Sequence, residues 1–187
     1  MIALCTSAQK HYVSQVWVAD NHDGTYKNPI IHSDYSDPDV IRVSEDFYLT
    51  ASSFEAIPGL QILHSKDLVN WTILSTALKR LPPFKHFAKP RHGEGVWAPA
   101  LRFHKGEFYL YYPDPDFGIY LVKAKHPAGP WSDPMLIEAG KGLIDPCPFW
   151  DDDGKAYLVH AFAGSRAGIK SLIIIKKMNV DGTKTLD

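Results

Sequence analysis

The chain has 187 residues, 45% hydrophobic and 22% charged, with a formal net charge of −1. That balance suits one sizeable core and gives a nucleic-acid partner no electrostatic footing. No apolar run is long enough to span a bilayer, so no membrane partner is expected, and two cysteines, Cys5 and Cys147, exclude a disulfide-stapled scaffold.

At the N-terminus, MIALCTSAQ has a short apolar piece followed by small residues, like the tail of a secretory signal without its basic region. Residues 1–27 are therefore read as a signal remnant and N-terminal extension, and a secreted or periplasmic location is expected. From residue 28 onward short strands dominate, and no amphipathic helix exceeds about two turns. FYLTAS (47–52), FYLYYP (108–113) and AYLVHAF (156–162) each follow a turn: SED, HKGE and DDDGK. An apolar stretch precedes each turn: DVIRV, WAPALRF and DPCPFW. A third strand follows each copy: LQILHS, GIYLVKA and IKSLIIIK. WTIL and WSDPMLI supply a fourth strand in the first two copies, with Trp71 and Trp131 in matching places.

Tyr48, Tyr109 and Tyr157 mark the repeat, spaced by 61 and 48 residues. This period and strand count predict an all-β fold made of β-propeller blades, at about 37–75, 96–138 and 144–187. A β-sandwich would also give many short strands, but not this order three times over. Three blades do not close a ring, since propellers typically have four to eight. The chain therefore reads as the front part of a longer protein. Its third copy is expected to stop at MNVDGTKTLD, before the outer strand, leaving missing blades or self-association to cover the open faces.

Propeller topology puts the start of each inner strand and the loop between strands two and three on the same face. Asp37, Trp97 and Asp145 stand at the three inner-strand starts. The loops SFEAIPG, DPDFG and AGSRAG add Phe54, Phe117 and Arg166, and His92 lies just upstream of the second inner strand. Carboxylates across an aromatic-walled cavity suit glycoside hydrolysis, which needs a base for water and an acid for the leaving oxygen. Asp34 and Asp39 are read as turn residues beside Asp37. DDDG (151–154) reads as a hairpin turn rather than a calcium loop, and the nine histidines show no ligand spacing, so neither a metal nor a cofactor is expected.

The stretches NPIIHSDYSDPDVIRVSEDFYLTASSFEAIPGLQILHSKDLVNW, GVWAPALRFHKGEFYLYY and GLIDPCPFWDDDGKAYLVHAFAGSRAGIKS resemble, in order and spacing, the first three blades of glycoside hydrolase family 43. The resemblance runs from about residue 28 to 180. It implies a five-bladed propeller hydrolysing xylo- or arabino-oligosaccharides as a β-xylosidase or α-L-arabinofuranosidase, with inversion. It also implies that Asp37 is the general base and that Asp145 tunes and orients the acid, a glutamate of the fourth blade. Phe54 and Trp97 match aromatic positions of the sugar pocket, while Ser36 stands where the family usually has proline. The alternative is a carbohydrate-binding propeller without catalysis.

Overall fold

The computed structural model describes Ser14 and residues 16–186; the segment MIALCTSAQ lies outside them. Twelve strands form three antiparallel four-stranded sheets, each in simple sequential order. The first sheet holds β1 (Asp39–Val43), β2 (Asp46–Thr50), β3 (Gly59–Ser65) and β4 (Thr72–Leu78). The second holds β5 (Ala100–His104), β6 (Glu107–Asp114), β7 (Gly118–Ala124) and β8 (Met135–Ala139). The third holds β9 (Leu143–Trp150), β10 (Ala156–Phe162), β11 (Ile173–Met178) and β12 (Thr185–Leu186). The inner strands β1, β5 and β9 pack beside one another, as blades around an axis require.

Local chemistry fixes each hairpin. Between β5 and β6 the two-residue turn Lys105–Gly106 has positive φ at both positions, 48° and 80°, the geometry that matches the twist of paired strands. In DDDG the Asp151 N–H donates to the Lys155 carbonyl and Gly154 takes φ 82°, closing the β9–β10 hairpin. One expectation is corrected: the third blade does have an outer strand, the two-residue β12 paired to Lys177 and Met178. The Asn179 side chain accepts from the N–H groups of Thr183 and Lys184 and folds the chain back. Two residues are too few to leave a period in the sequence.

The core lies between blades and follows the two-residue period of a strand. In β6, Phe108, Leu110 and Tyr112 face blade one, joining Leu60, Ile62 and Leu78, whereas Tyr109 and Tyr111 face blade three, joining Leu143 and Leu158. In β7, Tyr120 and Val122 turn one way and Ile119 and Leu121 the other. Both faces of the middle blade are thus covered, which explains its unbroken apolar runs. The outer faces remain open: Val40 and Ile73 are exposed on blade one, and Phe149, Ile173 and Ile175 on blade three.

Candidate active site

Three prolines, Pro38, Pro99 and Pro146, stand at equivalent points of the inner strands and line one cavity of about 270 Å³. The residues before them are Asp37, Ala98 and Asp145, so the blade-two equivalent of the two aspartates is Ala98, and Trp97 stands one residue earlier. Both aspartates have left-handed backbones, with φ 51° and 54°. That region costs a non-glycine residue roughly 1–2 kcal/mol, and a following proline restricts the choice further. Surroundings must therefore hold both residues in place, a pattern that marks functional positions. At Asp145 a β-bulge does so, with Asp145 and Pro146 set opposite His160 alone.

The two carboxyls have different surroundings. Asp37 Oδ2 accepts a hydrogen bond of 2.8 Å from the Ser52 hydroxyl. Asp145 reaches solvent, yet partial burial by the cavity wall, reinforced by the charge of Asp37, holds its carboxyl above the usual range. Ser36 and Ser52 also line an adjoining cavity of about 230 Å³, together with Ser53, Phe54 and Gln61. Phe54, at φ 48°, is pinned there by paired backbone hydrogen bonds with Val96, of 2.8 and 3.0 Å. The close approach needs Gly95: a Cβ there would sit 2.5 Å from the Phe54 carbonyl oxygen.

Backbone bonds bring the remaining loops to the same face. The Trp97 N–H donates to the Pro113 carbonyl, Gly142 to Pro115, and Ala163 to Gly142. Residues Gly164–Ala167 of the AGSRAG loop make one helical turn, α1. It carries Arg166, whose guanidinium lies 5.4 Å from the Trp97 ring centroid and whose Nε donates to Asp116 at 3.1 Å. Phe117 packs edge-on against His86, with ring centroids 5.0 Å apart, and joins the core between blades one and two. His92 is exposed, its Nδ1 2.6 Å from Glu55 Oε1, and borders a separate hollow of about 370 Å³. Asp37 and Asp145 thus share a cavity, Phe54 lines the next one, Trp97 pairs with Arg166, and Phe117 and His92 stand apart.

The signature of glycosyl hydrolases family 43 matches residues 26–187. The chain belongs to that family. Among family 43 relatives, a β-xylosidase of Formosa agariphila is 37% identical over 178 residues, covering 90% of this chain and 30% of that protein. A non-reducing end α-L-arabinofuranosidase of Bacteroides ovatus is 42% identical over 139 residues, 72% of this chain and 26% of that one. The crystal structure of a xylan β-1,4-xylosidase from Bacillus halodurans superposes with a TM-score of 0.71 at 34% identity, over 86% of this chain and 32% of that chain. The three sheets are therefore propeller blades, and the chain spans about 30% of the length of the curated relatives it matches.

Two further residues that line the cavity of Asp37 and Asp145 were not singled out as site candidates from the sequence. Asp39 is not merely a turn residue: its Oδ2 accepts from the Leu101 N–H and from Arg102 Nη1, both at 2.7 Å. Arg102 lines the cavity with both aspartates. The signal for it was present in ALRFH, where an arginine alternates with apolar neighbours on an inner strand. Among the described residues, no group of three or more His, Cys, Asp or Glu side chains is arranged to hold a metal ion.

Proposed function

We propose that this chain carries the base-bearing side of a glycoside hydrolase active site that removes terminal xylosyl or arabinosyl units from xylo- or arabino-oligosaccharides with inversion. The observation that carries this reading is the pair Asp37 and Asp145, held in left-handed backbone on one cavity. The relatives' activities, one a β-xylosidase and another an α-L-arabinofuranosidase, support the substrate class. Export, as the N-terminal segment suggests, would bring the protein to such substrates.

In this scheme Asp37 takes a proton from water, held in the orientation that the Ser52 hydroxyl imposes. The water oxygen bonds to the anomeric carbon as the bond to the leaving oxygen breaks, its electron pair going to that oxygen. A general acid, a glutamate outside these three blades, protonates it. Asp145 orients that acid. Its own tendency to hold a proton, set by burial and by Asp37, couples the acid's proton to the state of the base.

The test is hydrolysis of aryl xylosides and arabinosides by the enzyme from its complete reading frame. Asp37→Asn keeps size and hydrogen bonding but removes the base, and should lower the rate by about 10²–10⁴-fold. A residual rate above about a tenth of wild type would exclude Asp37 as the base, on the same reasoning. NMR of the first product should show the inverted anomer, and retention would contradict the scheme. Binding of xylo-oligosaccharide without turnover would favour the carbohydrate-binding alternative.

A further inference from the structure

Bonds from all three blades meet on one side chain. Arg102 Nη1 donates to Asp39 Oδ2 of blade one at 2.7 Å and to the Leu101 carbonyl of its own blade at 2.6 Å. Its Nη2 lies 3.3 Å from Cys147 Sγ of blade three. Asp39 and Cys147 each lie two residues beyond a cavity aspartate, separated from it by Pro38 and Pro146. Proline fixes its own φ, so a displacement of Asp39 or Cys147 passes to Asp37 or Asp145 with little slack. We propose that Arg102 is a positioning residue that sets the separation of Asp37 and Asp145 by cross-bracing the inner strands of the three blades. The inference rests on Asp37 and Asp145 being the working carboxylate pair.

The brace acts through reach rather than through charge. The guanidinium charge is matched to Asp39 at contact distance, in a pair whose side chains are only 31% and 27% exposed. A planar fork spans three acceptors at once, which the single ammonium of lysine does not. Arg102→Lys therefore keeps the ion pair and loses the span. Cys147→Ala removes the blade-three arm alone.

Carbon-detected NMR of the Asp145 carboxyl in this chain supplies a readout independent of activity. Because the charge of Asp37 raises Asp145, Asp37→Asn should lower the Asp145 titration midpoint. In Arg102→Lys that shift should shrink by half or more, since the inner-strand starts are free to separate. Cys147→Ala should shrink it by less, in the same sense, and serves should an Arg102 variant fail to fold. An Asp37→Asn shift as large in both variants as in the wild-type background would overturn the proposal. In the enzyme from the complete reading frame, Arg102→Lys should lower kcat at least tenfold with KM within twofold, because small misplacements cost rate before binding. A wild-type enzyme inactive on pentosides would refute the proposed function, while the titration would still decide the brace.

Discussion

Asp114, at the end of β6, is 1% exposed. Its Oδ1 accepts the Asp116 N–H at 3.0 Å, and its Oδ2 has no hydrogen-bond partner among the described residues. Burial pushes its carboxyl up to about 7; the charges of Asp116 and Glu94 add to this, and His86 opposes it. An aspartate in an unfolded chain loses its proton near the ordinary value, so between about pH 4 and 7 the folded state binds the extra proton. Stability from this group is then fully present at about pH 4 and is lost as pH rises through about 7, by an amount on the order of 2–4 kcal/mol. Asp114→Asn keeps the acceptor for Asp116 and removes the charge. Urea titrations at pH 5 and pH 8 should show the wild type weakening at the higher pH and the variant weakening by less, the remainder coming from groups such as Asp145. An equal pH dependence in both would show that Asp114 is ionised without penalty. This residue was not legible in the sequence. DPDFG reads as a polar loop, and only the folded chain, which brings Glu94 and His86 near its first aspartate, buries it.

At the level of elements, the site is an assembly of loops held by close backbone approach. Gly95, at φ 86°, lets the chain before β5 pair with Phe54, and a methyl group there would collide with backbone rather than with a yielding side chain. Gly95→Ala should cost about 1–3 kcal/mol from conformational strain, visible as a lower urea midpoint. It should also disturb Trp97, two residues on, and so change tryptophan fluorescence in the folded baseline. A stable variant with unchanged emission would mean that the loop has room to shift. The strands themselves were legible, because alternation and turn residues are local signals. Ala98 as the true counterpart of Asp37 was harder to see, because the conspicuous Trp97 stands beside it. The Pro repeat at residues 38, 99 and 146 is the better guide. Phe117 shows how little a loop position fixes: it is an aromatic in a channel-side loop whose partly buried ring packs against the core and His86.

Across the whole molecule, three copies of one strand pattern were enough to name the architecture, since a blade is a local unit repeated in order. What no local pattern could supply was the set of contacts between copies, including Arg102 with Asp39 and Cys147. Those contacts depend on how blades pack side by side. The double-sided burial of β6 and β7 has a consequence for how the protein opens. Among these three blades, one and three each share one apolar cluster with a neighbour, while blade two shares one on either side. Its amides should therefore exchange with solvent only through global unfolding, whereas those of β4 and β12 exchange through partial openings. Hydrogen–deuterium exchange should rank Leu110 and Leu121, both fully buried, among the slowest amides of the chain. Faster exchange there than in β4 would mean that the middle blade opens independently. With the predicted ranking, any change imposed on the Asp37 side reaches the Asp145 side through the most slowly opening part of the chain, as a rigid-body shift rather than by local melting.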